Sequence, residues 1–148
     1  MAESQTFRVS KTINAPLKFV YDWCTDYRED DNKIIGSDTE TSIVQRTKRR
    51  VLYITSEKDG DKSINSVNIV TLKPPNGWHL DFAGPIADED VDYRLTRLAP
   101  KKTRLVLKVR VNYKIPAPPT KEEGETGTSQ KWDKFVTALE RDYAKSNP

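Results

Sequence analysis

Apolar and polar positions alternate with a period of two over most of this chain and recur at helical spacing in two places, and those two rhythms predict its elements. Residues 6–13 put Phe7, Val9, Lys11 and Ile13 on one face and Arg8, Ser10 and Thr12 on the other, the pattern of a half-buried strand. Asn14-Ala15-Pro16 breaks that strand, and proline suits the first turn of a helix. Behind it Phe19, Val20, Trp23, Cys24 and Tyr27 form one apolar stripe, which predicts a short helix over 16–24. Residues 25–32 follow as a second short helical turn, with Thr25 or Asp26 placed to cap its free N–H groups.

From residue 35 to 115 the pattern is β-branched and aromatic with period two, cut by turn chemistry at Asp59-Gly60-Asp61, Pro74-Pro75-Asn76-Gly77, 84–88 and Ala99-Pro100-Lys101-Lys102. This predicts a meander with strands over 42–57, 62–72, 78–83, 89–98 and 103–115. The first is too long for one straight strand, so it is either bent or two strands. The last is the clearest: Leu105, Leu107, Val109, Val111, Tyr113 and Ile115 share a face, opposite Lys108, Arg110, Asn112 and Lys114. Pro116-Ala117-Pro118-Pro119 ends it, and the polar, glycine-bearing residues up to Ser129 are expected to form a loop, a candidate gate. Trp132, Phe135, Val136, Leu139 and Tyr143 then recur as a single stripe on a charged helix over about 128–145. Aromatics of that size need a surface to bury them, and the concave face of the meander is the one available. The expected architecture is α+β, a single domain over 1–148 in which a curved antiparallel sheet wraps a long C-terminal helix around an internal apolar cavity.

Composition sharpens this picture mainly by exclusion. The 148 residues suit one core and not two. Neither a signal-peptide pattern at the N-terminus nor an apolar run of membrane-spanning length is present, so a cytoplasmic protein without stable membrane insertion is expected. One cysteine and one histidine give no zinc-ligand spacing, and neither a metal nor another cofactor is expected. Lys and Arg number 25 against 22 Asp and Glu, with the signs interspersed, which argues against nucleic acid as the partner. The densest basic run, Lys48-Arg49-Arg50, is taken as a solvated strand face. The acidic run Asp26, Glu29, Asp30 and Asp31 lacks calcium-loop spacing and is taken as a solvated helical turn.

The order of strand, two short helices, long meander and C-terminal helix, together with FRVSKTINAPLKFVYDWCTDY and DFAGPIADEDVDYRLTRLAPKKTRLVLKVRVNYKI, resembles the helix-grip superfamily. That superfamily, often labelled SRPBCC, includes the START lipid-transfer domains, the polyketide cyclase/dehydrase-like proteins and the birch-pollen-allergen-like proteins. The resemblance implies that the space between sheet and C-terminal helix is a ligand site for lipids, sterols, polyketides or other apolar molecules. Some members are enzymes, some carriers, some domains of iron-dependent oxygenases, and one branch activates a chaperone ATPase. A single histidine sets the oxygenase reading aside, because non-haem iron wants two histidines and a carboxylate.

The candidate ligand-binding residues are Trp23, Tyr53, Trp78, Phe82, Tyr93, Tyr113, Trp132, Phe135 and Leu139, although large aromatics such as Trp23, Trp78, Phe82, Tyr113, Trp132 and Phe135 serve more often as plain core packing than as ligand contacts. Asn65 is a further polar candidate, and Tyr113, on the clean apolar face, is the leading one. His79 alternates with Trp78, Leu80 and Phe82 and is expected to face solvent. Cys24, on a helix stripe, is expected to be inert core. No catalytic constellation stands out. The favoured reading is a binder or carrier of a hydrophobic small molecule or lipid. The alternatives are a polyketide cyclase/dehydratase-like enzyme using the same cavity and a protein-interaction module like the chaperone-ATPase activators. A carrier predicts few titratable groups in the cavity, an enzyme at least one inward charge, with Arg49, Arg94 and Glu57 the residues to inspect, and an interaction module an exposed apolar patch over a filled core.

Overall fold

A computed structural model describes residues 4–147. The chain runs β1 (Ser4–Ile13), α1 (Leu17–Thr25), a 3₁₀ turn (Asp31–Ile35), β2 (Glu40–Arg46), β3 (Arg50–Asp59), β4 (Lys62–Lys73), β5 (Gly77–Ala83), β6 (Ala87–Ala99), β7 (Lys102–Tyr113) and α2 (Lys121–Ser146). All seven strands join one antiparallel sheet in the order β1-β7-β6-β5-β4-β3-β2. The meander from β2 to β7 pairs only sequential neighbours, and β1 closes it by pairing with β7, Phe7 opposite Val109 and Val9 opposite Leu107.

The alternation does what period two requires. Thr103, Leu105, Leu107, Val109 and Val111 of β7 are buried, while Arg104, Lys108 and Arg110 are exposed. Phe7, Val9 and Ile13 on β1 and Val91, Tyr93 and Leu95 on β6 continue that inner surface. Against it lie Trp132, Ala138 and Leu139 of α2. Lys11 shares the inner face of β1 by extending its ammonium to Ser129 Oγ at 2.8 Å and to the Asp133 carboxylate at 2.6 Å, so its stem packs and its charge is met by the helix. The strand-to-helix corner is held by a buried bond from the Thr103 hydroxyl to the Ala15 carbonyl at 2.8 Å.

Several boundaries differ from expectation, each for a local reason. The segment 42–57 is a hairpin, because Thr47 Oγ1 accepts from the Arg49 and Arg50 N–H groups and turns the chain. Lys48 and Arg49 therefore sit in an exposed turn and Arg50 at the exposed start of β3, not along a strand face. The helical turn expected over 25–32 forms at Asp31–Ile35 instead. Thr25 spends its hydroxyl on the Tyr21 carbonyl of α1 at 2.6 Å rather than on a cap, and the Asp31 carboxylate accepts from the Arg28 N–H. The loop expected to reach Ser129 ends at Thr120. Thr120 and Glu123 form a reciprocal capping box, which starts α2 there despite two glycines in the next turns. Most of the proposed gate is thus the first turns of a helix.

Candidate functional site

The inner faces of β3 to β6, the C-terminal end of α1, the 3₁₀ turn and one side of α2 enclose a cavity of about 400 Å³. Trp23, Tyr53, Trp78, Phe82, Tyr93, Trp132 and Phe135, all candidates from the sequence, line it. Leu139 does not: it is fully buried in the solid core beneath α2. Nor does Tyr113, whose inward face lies at the end of β7 under the start of α2, where its hydroxyl approaches Gly124. Asn65 is exposed and accepts from the Ser56 hydroxyl at 2.8 Å, because the inward row on β4 is Ser66, Asn68 and Val70.

The aromatic walls hold one another in place. Trp78 and Tyr93, cross-strand partners, stack at 4.7 Å and 8°. Trp132 tilts between Tyr93 and Phe135 at 5.7 and 5.2 Å, and Tyr27 stacks on Tyr53 at 5.4 Å. Trp23 meets Phe135 edge-on and anchors its indole N–H on the Asp142 carboxylate at 2.9 Å, tying α1 to α2 across the cavity. The Lys134 ammonium, reaching the Ile35 carbonyl at 3.3 Å, ties the 3₁₀ turn to the same helix.

Between these rings the lining is more polar than an apolar pocket requires. Thr55, Glu57 and Asn68 face in from β3 and β4, Glu89 from β6, Arg28 and Asp31 from the segment after α1, and Lys131 from α2. Burial pushes the Glu89 carboxyl above the usual glutamate range and Asp90 adds to the shift, with the Lys131 ammonium opposing it. Burial also raises the Asp31 carboxyl, against the Arg28 N–H and guanidinium that favour its ionised form. Asp31 is therefore part of the cavity wall, and the Glu29 carboxylate accepts the Ile43 N–H at 2.9 Å, so the acidic run is not simply a solvated turn. The thiol of Cys24, on the cavity wall, is driven above the ordinary thiol range chiefly by burial and stays protonated.

Of the residues set aside to decide catalysis, Arg49 and Arg94 are exposed, and Glu57 lines the cavity as an exposed residue. His79 lies on the outer face, its ring 3.3 Å from Asp81 and 3.5 Å from Asp92. Sequence reasoning missed Glu89, Asp31, Tyr27, Asn68 and Thr55 as lining residues. For Glu89 a signal was available: it is in phase with Val91, Tyr93 and Leu95, so a strand that buries those three carries its carboxylate inward as well.

No protein-family model matches the chain, and no curated protein matches it. Solved structures do. The Zhui aromatase/cyclase from Streptomyces sp. R1128 superposes with a TM-score of 0.70 at 13% identity, over 97% of this chain and 95% of that one. A START superfamily protein from Mycobacterium smegmatis gives 0.73 at 14% identity, and Ara h 8.0201 gives 0.72 at 13%, each over 97% of this chain and 99% of the other. Likeness at such identities is likeness of fold. The chain has the START-like, SRPBCC helix-grip fold, a seven-stranded curved sheet gripping a long C-terminal helix. Among the described residues no helix is long and apolar enough to cross a membrane.

Proposed function

We propose that this domain binds and carries a ring-bearing apolar small molecule or lipid in the cavity between sheet and α2. The observation behind this reading is the cavity itself: about 400 Å³, within the range that holds a small organic ligand, walled by stacked aromatic rings with polar groups between them. Seven aromatic rings border this space, several of them also packed into the core, and they offer flat apolar faces to a ring-bearing ligand. Native mass spectrometry of protein purified from a lipid-rich lysate tests the proposal, followed by denaturation and analysis of what is released. A stoichiometric apolar passenger is expected; its repeated absence, with no thermal shift across a panel of lipids, sterols and polycyclic aromatics, overturns it.

One observation favours a second reading, an enzyme of the cyclase/dehydratase kind. Glu89 is an inward carboxyl raised above the usual glutamate range by burial and placed in a cavity with Lys131, as an acid–base residue would be. The two readings separate on Glu89→Gln, which spares binding in both and abolishes turnover only in the second. An interaction module has less support. Ile54 and Val67 are opposed, exposed residues on the outer face, but the core beneath them is hollow.

A further inference from the structure

Tyr27 after α1, Tyr53 on β3 and Tyr93 on β6 come from three separate elements to one region of the cavity, with the thiol of Cys24 among them. The stacking of Tyr27 on Tyr53, and of Tyr93 on Trp78, holds each ring and so the position of each hydroxyl oxygen. None of the three hydroxyls has a hydrogen-bond partner within the protein among the described residues, and all three residues line the cavity. Burial raises all three phenols, Tyr27 and Tyr93 well above their ordinary value, so each keeps its proton at neutral pH. The cluster therefore presents three O–H groups that no protein atom meets to the open space of the cavity. Such groups are met by water in the empty cavity, and a ligand that displaces that water without replacing its bonds loses free energy.

We infer that this region of the cavity recognises an acceptor oxygen, the O–H groups of Tyr27, Tyr53 and Tyr93 donating to a carbonyl of the bound ring-bearing ligand. The inference rests on the cavity-binding reading and narrows its ligand to one that buries a ketone, quinone or ester oxygen among aromatic rings. An ammonium or other donor-only group is the wrong partner, because it offers hydrogens to oxygens whose own hydrogens would remain unmet. A pure hydrocarbon is also wrong, because it displaces water from the phenols without replacing its bonds.

The test uses 1-tetralone and tetralin, bicyclic molecules of nearly the same shape that differ by one carbonyl. Binding is measured by calorimetry and by quenching of the cavity tryptophans. A merely apolar cavity ranks tetralin first, because it is the more hydrophobic. The phenol cluster is expected to reverse that order and to lower the carbonyl stretch of bound tetralone relative to its value in hexane. Tyr53→Phe, and Tyr27→Phe with it, should weaken tetralone by about three- to tenfold per hydroxyl removed, shrink the infrared shift and leave tetralin unchanged or tighter. Tetralin binding tighter than tetralone with no shifted carbonyl overturns the inference and leaves the cavity reading intact. Neither molecule binding overturns both. Should a variant fail to fold, the ranking and the infrared shift in the unaltered protein still decide.

Discussion

The half of the sheet formed by β1, β7 and the C-terminal part of β6 and the half formed by β3, β4 and β5 share one alternation but differ in what they turn inward. In the first, Phe7, Val9, Ile13, Leu95, Leu105, Leu107, Val109 and Val111 are buried, and α2 lies on β1 with Leu139 driven fully into the layer. In the second, Val51, Val70 and Trp78 are buried as fully, but the inward rows also carry Tyr53, Thr55, Glu57, Ser66 and Asn68, and α2 turns its other side to the 3₁₀ turn instead of settling on β3 or β4. Aliphatic side chains of the first half interdigitate and exclude everything else. The polar side chains in the second do not interdigitate in that way: Asn68 reaches Thr55 only by a 3.3 Å bond and Glu57 is exposed. Period two decides which residues face in; their chemistry decides whether the inside becomes core or cavity.

The sharpest way to break that contrast is to alter one buried position in each half. Leu139→Ala removes a fully buried side chain from the filled half, and its expected cost is about 2–5 kcal/mol in urea denaturation. Asn68→Leu adds apolar volume to the hollow half and loses only a long bond to the Thr55 hydroxyl, 3.3 Å, so stability should stay within about 1.5 kcal/mol of wild type while uptake of a cavity ligand falls. Equal destabilisation by the two would mean that the second half is as tightly filled as the first.

A smaller effect is expected from the charge that the hollow half tolerates. Glu89 is held above the usual glutamate range by burial, so the folded chain keeps this proton to higher pH than the unfolded chain does. Its contribution to stability is therefore full below the unfolded value and is lost as pH rises through the folded one. Glu89→Gln, neutral throughout, should be more stable than wild type at about pH 7.5 and lose that advantage by about pH 4, as read from denaturation midpoints at the two pH values. A pH-independent difference would place the carboxylate in contact with water.

How much of this was legible in the chain follows the same division. The filled half was plain: the inward row of β7 and the α2 stripe are long, regular and aliphatic or aromatic, and nothing competes with them. The hollow half was half legible. Its aromatic walls stood out, but Asn68, Thr55 and Glu89 were polar residues in strands, and polar residues are assigned outward unless their phase is counted against buried neighbours. Tyr113 illustrates the opposite failure, because facing inward does not say which part of the interior a residue faces. The start of α2 was missed for a different reason: two glycines and four residues of proline-rich chain suggested a loop, while the Thr120–Glu123 capping box, a local hydrogen-bonded start signal, outweighed them.

Those two glycines supply the finest test of the contrast, because both lie in α2 and differ only in what stands opposite. A Cβ on Gly127 would meet nothing within 4 Å, so Gly127→Ala should gain the ordinary helix preference of alanine, about 0.5–1 kcal/mol. A Cβ on Gly124 would stand 3.3 Å from the edge of the Phe7 ring, closer than relaxed packing allows, and that ring is itself wedged between β1 and the helix. Gly124→Ala should therefore gain less than Gly127→Ala, or lose stability outright, since Phe7 must yield by a few tenths of an ångström in a layer that is already full. Thermal denaturation of the two variants side by side measures the difference. An equal gain at both positions would mean that the filled half retains slack under the first turn of α2, and that its solidity ends before the helix begins.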